Sequence, residues 1–484
     1  MSQGDVFKEM AKVRAAQPRW ASLSIRERCA RIQRVRDVIV NRMDEIARVI
    51  SEENGKVIVE ALLHDIGPTL LVMEYFAKNA ERILAQERIH LAIAKHRASY
   101  ISYQPKGVIG VITPWNFPFF MPGSDVAMSL IAGNGVLLKP SEITPSSSLV
   151  LKECYEEGGI DPDLVRVVTG LGPTGAALIE SHPDHVVFTG SVATGRKVGV
   201  ACAERMISYT LELGGKAAAI VLEDADLERA ANAIAWGGFA NAGQVCASVE
   251  RVYATEQVYE PLVRGLAERA QSLRVGPPDQ EEVDVGPMTW PRQREIVEAL
   301  VDDAKKKGAR VMAGGERAGD KGLFYRPTVI ADCTHDMEVM KAETFGPIVP
   351  VMKVKNEEEA IRFANDSHLG LGAYVFTKDR ERGTRLAERL EVGAVMVNDV
   401  LSMAGMPEMP WGGIKQSGLG IVRSDRGLRE LCHPRHVNYD RILPMKRDPY
   451  WFPYGKKSTE GVRTMLKTLF SASIPGKVLR SILK

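Results

Sequence analysis

Between residues 25 and 57 the apolar positions Ile25, Cys29, Ile32, Val35, Ile39, Met43, Ile46 and Ile50 recur three or four apart. That period predicts one long amphipathic helix, stopped by Gly55. A second helix is predicted over residues 61–86, with Leu70, Leu71, Met73 and Phe76 among polar neighbours. Both read as cover for a core elsewhere. From 92 to 104 the pattern changes to alternation, with Arg97, Ser99 and Ser102 among Ala98, Tyr100, Ile101 and Tyr103, as in a strand or hairpin. Residues 107–112 are then continuously apolar, as in a parallel strand buried on both faces. Strand, loop and helix alternate from there, with strands at 135–140, 165–170 and 186–190. After Glu212 the alternation restarts, with strands at 216–222, 252–254, 310–312 and 393–398 and helices at 227–240, 292–307 and 357–365. Two such runs predict an α/β fold of two doubly wound domains, with ligands at the carboxyl ends of the strands.

A chain of 484 residues needs two or three cores, and 45% hydrophobic with 26% charged residues describes a globular protein. Cys29, Cys154, Cys202, Cys246, Cys333 and Cys432 are scattered with no CxxC pair. No metal site or disulfide framework is therefore expected, and a reducing compartment is. The first twenty residues carry charges throughout with no apolar h-region, and no run reaches a membrane span, so the expected location is cytoplasmic. The net charge of +2 is unevenly placed: ten Lys or Arg against two Asp or Glu beyond residue 440 leave −6 for the rest. A nucleic-acid-binding body is not indicated.

Candidate chemistry gathers between Glu212 and Cys246. A carboxylate among Leu211, Leu213, Gly214 and Gly215, and a thiol after Gly243-Gln244-Val245, supply the base and nucleophile of thioester chemistry. Alone, a buried cysteine is more often inert packing. Asn116, behind Pro114 and Trp115 at a strand end, can donate to an oxyanion or cap a helix. Glu343, in a loop held by Gly346 and Pro347, is equally ambiguous. Ser191, between Gly190 and Gly195 on a strand-to-helix turn, suits phosphate oxygens, although the turn is neither GxGxxG nor a Walker loop. Lys139 and Glu142 could hold ribose hydroxyls, but on the residues alone they favour a solvated turn.

Taken in order, Pro-Trp-Asn-Phe-Pro at 114–118, Lys-Pro-Ser-Glu at 139–142, Phe-Thr-Gly-Ser at 188–191, Leu-Glu-Leu-Gly-Gly-Lys at 211–216, Gly-Gln-Val-Cys at 243–246, Glu-Thr-Phe-Gly-Pro at 343–347 and Pro-Trp-Gly-Gly at 410–413 form one set. Over roughly residues 20–440 the chain resembles the NAD(P)-dependent aldehyde dehydrogenase superfamily. The resemblance implies a dinucleotide-binding domain of residues 1–88 and 106–213 and a catalytic domain of 214–425. It also implies a β-hairpin oligomerisation element of 89–105 and 426–440, hence a homodimer or homotetramer, and leaves 441–484 as a basic amphipathic tail. Cys246 is implied as nucleophile, Glu212 as general base and Asn116 as oxyanion donor. Thr113, Trp115, Lys139, Glu142, Gly172, Gly190, Ser191, Gly195, Leu213, Glu343 and Phe345 are implied around the cofactor. The solvated-turn reading of Lys139 and Glu142 gives way.

The implied reaction oxidises an aldehyde to its acid and reduces NAD(P), through a thiohemiacetal and a thioester on Cys246. Glu212 favours release as free acid, and Glu142 near the adenosine ribose favours NAD over NADP, with Lys139 softening the preference. Phe117, Phe120, Met121 and, further along, Met403 are expected to line a substrate tunnel. Between Asn116 and Lys139 the only charge is Asp125, and no arginine is there to meet a substrate carboxylate. An apolar aldehyde, medium or long aliphatic or aromatic, is therefore expected. Two alternatives stay open: an acidic semialdehyde met by an arginine from elsewhere, and a cysteine-dependent thioester or ester hydrolase.

In the tail, an aromatic cluster spans 449–454, and Val462, Met465, Leu466, Leu469 and Phe470 share a helical face opposite Arg463 and Lys467. Beyond Pro475 the pattern resumes at Val478, Ile482 and Leu483. Packing of this face against protein is the first expectation, and peripheral contact with an anionic membrane the second.

Overall fold

The computed structural model describes residues 1–91, 94–441, 446–448 and 451–470. Residues 1–83 and 105–432 form one compact unit, and residues 84–104 and 433–484 another. The fold is α/β, as the alternation predicts.

The first unit holds two large sheets. In one, the strands run in the order Gly418–Leu419, Ser208–Glu212, His185–Thr189, Val108–Ile112, Gly135–Lys139, Val165–Val167, and only the first pairing is antiparallel. Val108–Ile112 comes first in the chain yet lies in mid-sheet, so the crossovers reverse direction beside it. That reversal opens a crevice at the carboxyl ends of Val108–Ile112 and His185–Thr189. The other sheet has the order Arg310–Ala313, Thr328–Ala331, Ile348–Val354, Val249–Thr255, Ala217–Val221, Gly372–Phe376, Ala394–Val397, again with only its first pairing antiparallel. Three of its strands, Thr328–Ala331, Ile348–Val354 and Gly372–Phe376, were not predicted. Fully or largely buried on both faces, they show little of the alternation that marks a half-exposed strand.

The cover helices depart from expectation in their breaks. Residues 25–57 form two helices, Ile25–Asn41 and Met43–Asn54, parted at Arg42 with φ −103° and ψ 10°. Ile32, Val35, Ile39, Ile46 and Ile50 are all buried, so the apolar period passes through the break without marking it. Gly55 ends the second helix in the left-handed conformation, φ +95°. The next predicted helix begins with a π-helical turn, Ala61–Ile66, before the α-helix Gly67–Ile83. An unpredicted helix, Gln3–Ala21, buries Val6, Met10, Val13 and Trp20 beneath its charged face.

Leu369–Gly370 and Ile414–Lys415 form a short antiparallel pair, and Glu87–Ile89, Arg97–Pro105 and Cys432–Asp440 form a three-stranded sheet with the first two antiparallel. Within it Arg97 pairs with Asp440 at 2.9 Å. Residues 426–430, expected in the oligomerisation element, belong instead to the helix Ser424–Glu430 of the first unit. The tail forms the helix Lys456–Phe470, with Val462, Met465, Leu466 and Phe470 exposed. The expectations for Pro449, Tyr450 and residues 475–484 lie outside the described residues. Among the described residues no helix is long and apolar enough to cross a membrane.

Candidate active site

Glu212 ends the last parallel strand of the first sheet, and Ala217–Val221 opens the second. The Gly214-Gly215 link therefore joins the two sheets. A Cβ on Gly214 would stand 2.5 Å from a Glu343 oxygen, and the Glu343 carboxylate accepts from the Gly215 N–H at 3.0 Å. Only glycine admits Glu343 this close.

Cys246 follows the helix Leu227–Phe239 and a tight turn, Ala240–Gly243, where Asn241 and Ala242 are both left-handed at φ 51° and 52°. Non-glycine residues hold that conformation only when their surroundings fix it. Here the Asn241 N–H donates to Glu60 at 2.7 Å, and its side-chain amide donates to the Asn116 carbonyl at 3.0 Å. The Asn116 amide in turn donates to the Gln244 carbonyl at 3.0 Å, tying its loop to that of Cys246. One amide hydrogen of Asn116 is thus engaged and the other remains. Behind this loop Lys56 donates to the Asn116 carbonyl at 2.9 Å and pairs with Asp65, whose other oxygen accepts from the Phe119 and Phe120 N–H groups. Sequence reasoning missed Lys56, Glu60, Asp65 and Asn241. The available signal was a pair of acids in an apolar run, Glu60 between Val59 and Ala61 and Asp65 between His64 and Ile66.

A cavity of about 260 Å³ ends at Cys246, walled by Phe117, Phe120, Met121, Trp236, Leu401 and Trp411. Met403 is a correction: it packs on the core of the second sheet, and its neighbours Leu401, Ser402, Ala404 and Gly405 face the cavity instead. Arg423 also reaches this wall. A smaller cavity of about 20 Å³, the space of one water, lies among Cys246, Glu212, Asp125 and Arg423. Burial pushes the Cys246 thiol up to about 12, with the carboxylates of Glu212 and Glu343 adding to the effect. Burial also drives the Glu212 carboxyl well above its usual range against the pull of Arg423, and lifts Asp125 to about 7. Glu343 rises to about 8, through burial first and then the neighbouring Glu250.

Several of the residues expected around a dinucleotide lie at the carboxyl ends of the first sheet's strands. Thr113 lies at the end of Val108–Ile112 with its buried hydroxyl unpartnered. The Trp115 ring meets Phe345 edge to face at 5.3 Å. At the end of the next strand, Lys139 Nζ stands 3.2 Å from Glu142, the lysine buried and the glutamate exposed. Ser191 caps the helix Val192–Glu204, accepting from the Thr194 N–H at 3.3 Å, and this helix start suits a pyrophosphate. A Cβ on Gly195 would come within 2.4 Å of Leu213, and one on Gly190 within 2.7 Å of the Phe188 ring. Gly172 opens the helix Gly172–Glu180 with nothing within 4 Å of a Cβ, and one helical turn on a Cβ at Gly175 would stand 3.8 Å from the Lys139 side chain. A buried hydroxyl, a capped helix start, an ion pair at a strand end and an aromatic corner together fit a nicotinamide dinucleotide.

The model of the aldehyde dehydrogenase family matches residues 1–437. The 4,4'-diapolycopene aldehyde oxidase of Methylomonas sp is 38% identical, over 96% of this chain and 87% of its own. The mitochondrial succinate-semialdehyde dehydrogenase of Oryza sativa subsp. japonica is 36% identical, over 86% of this chain and 79% of its own. The NAD+ complex of an aldehyde dehydrogenase from Bacillus cereus matches with a TM-score of 0.88 at 36% identity, covering 91% of this chain and 90% of that one. The chain belongs to the aldehyde dehydrogenase family and is an NAD(P)-dependent oxidoreductase.

Proposed function

We propose that the protein oxidises an apolar aldehyde, medium or long aliphatic or aromatic, to its carboxylic acid, with NAD preferred over NADP. The observation that carries this reading is the cavity of about 260 Å³ running between aromatic and aliphatic walls to Cys246. Similarity to a 4,4'-diapolycopene aldehyde oxidase points the same way.

In this reading the Cys246 sulfur attacks the aldehyde carbon as its proton passes to a water in the cavity it shares with Glu212, and from there to solvent. The free hydrogen of the Asn116 amide and the Cys246 backbone N–H meet the oxyanion, each contributing about 3 kcal/mol. Lys139, Glu142, Ser191, Glu343 and Phe345 would hold NAD, which would supply the acceptor for the hydride leaving the adduct. Cys246 then carries a thioester. Glu212 takes a proton from water, the hydroxide attacks the thioester carbon, the C–S bond breaks, and the free acid leaves. The three-stranded sheet joins copies into a homodimer or homotetramer, which light scattering would report.

Two observations favour a second reading: similarity to a succinate-semialdehyde dehydrogenase, and a cation at the cavity. Arg423 puts a guanidinium on the cavity wall, where an acidic semialdehyde could be met. Against it, Asp125 shares the inner cavity with Arg423 and would repel a second carboxylate. NADH formation from acetaldehyde through dodecanal, with benzaldehyde and succinic semialdehyde, separates the two. Activity rising with chain length or with an aryl group supports the first reading, and best activity on the semialdehyde selects the second. No NADH from any aldehyde would bring the hydrolase forward.

A further inference from the structure

We propose that Arg423 is a positioning residue for deacylation, holding Glu212 as a carboxylate beside Cys246. This rests on the reading of Glu212 as the base. Arg423 is 2% exposed, and its guanidinium lies between two rings, 5.5 Å from the centre of Phe120 and 5.6 Å from that of Trp411. Its Nε has no hydrogen-bond partner, and neither has Oε1 of Glu212. A buried donor and a buried acceptor left unsatisfied are each costly, and these two belong to the walls of one water-sized cavity. A water there can receive from Arg423 and donate to Glu212 within reach of Cys246.

The backbone is built to keep Arg423 there. Its φ is +58° with ψ −173°, a strained region that glycine alone enters readily, and the residues on either side are pinned. Val422 and Trp411 exchange two backbone hydrogen bonds at 2.9 and 3.1 Å, and the Ser424 N–H donates to Pro407 at 2.8 Å. Five residues earlier the same segment pairs Gly418 with Glu212 in the sheet. One short stretch therefore fixes both the carboxylate and the cation.

Two charged groups act on Glu212, Arg423 from this stretch and Asp125 from the helix Phe120–Ala132, and Glu212 in turn acts on Cys246, which shares the cavity from the turn after Leu227–Phe239. One guanidinium faces two carboxyls. Arg423 favours the ionised base, and Asp125 opposes it.

The test is the pH profile of steady-state turnover, with the NADH burst recorded on the same enzyme. Arg423→Met should cut turnover near pH 7 about tenfold and move the rising limb up by about one unit, while the burst stays at one NADH per active site. Arg423→Lys should return the limb towards its wild-type position, and Asp125→Asn should move it down. A wild-type limb in Arg423→Met, or a lysine variant indistinguishable from the methionine one, overturns the proposal. Should the methionine variant not fold, an unmoved limb in Asp125→Asn overturns it. Failure of the underlying reading looks different: Glu212→Gln would then turn over at the wild-type rate.

Discussion

The ammonium of Lys56 donates to the main-chain carbonyl of Asn116 at 2.9 Å and pairs with Asp65 at 2.5 Å, with both side chains closed off from solvent. The loop of Asn116, the proposed oxyanion donor, is thus held from behind by an ion pair between the link after Gly55 and the turn Ala61–Ile66. Lys56→Met would strand the Asp65 carboxylate in the interior, at a cost of about 3–5 kcal/mol. It should lower Tm and slow the NADH burst about tenfold, whereas Lys56→Met combined with Asp65→Asn should regain stability but not burst rate. Recovery of both would show that the pair stabilises the fold without positioning Asn116.

Glu60 gives a pH dependence of stability. Burial raises its carboxyl from 4.5 to about 7, against a backbone hydrogen bond from Asn241. The fold favours the protonated form, so the stability this provides is present below pH 4.5 and is lost as pH rises towards 7. Glu60→Gln should therefore gain about 2–3 kcal/mol over wild type at pH 8 and nothing at pH 4. Chemical denaturation at the two pH values measures the difference, and an equal effect at both would contradict it.

Ala404 faces the cavity that ends at Cys246. A phenylalanine there should shorten the usable tunnel, lowering kcat/KM for dodecanal at least tenfold while leaving acetaldehyde within about twofold. Equal losses on both substrates would place the aldehyde chain elsewhere.

Glu142 is exposed and 3.2 Å from Lys139. Glu142→Gln removes the carboxylate and leaves the cation, so the ratio of kcat/KM for NAD over NADP should fall about fivefold. An unchanged ratio would mean that this pair does not face the ribose.

The local chemistry was more legible than its supports. Glu212, Cys246 and Asn116 each lie in a short ordered motif, and the strands around them announce themselves as apolar runs ending in loops. Arg423 could not be read this way. It stands 177 residues from Cys246 in an unremarkable Val-Arg-Ser stretch, and a strained backbone at φ +58° and ψ −173° holds it at the cavity. Met403 failed for the opposite reason: its loop was placed correctly, but which residues of a short 3-10 turn face the cavity is set by packing rather than by a period. The break at Arg42 was invisible because both helices bury the same apolar side.

The central claim is that Cys246 carries the acyl group and Glu212 releases it. Stopped-flow NADH absorbance on Glu212→Gln, mixed with NAD and an aldehyde the wild type oxidises, tests it most directly. The account predicts a burst of one NADH per active site followed by turnover reduced at least a hundredfold, with mass spectrometry finding the acyl mass on the Cys246 peptide. A linear trace at the wild-type rate, or an acyl mass on any other residue, would contradict it.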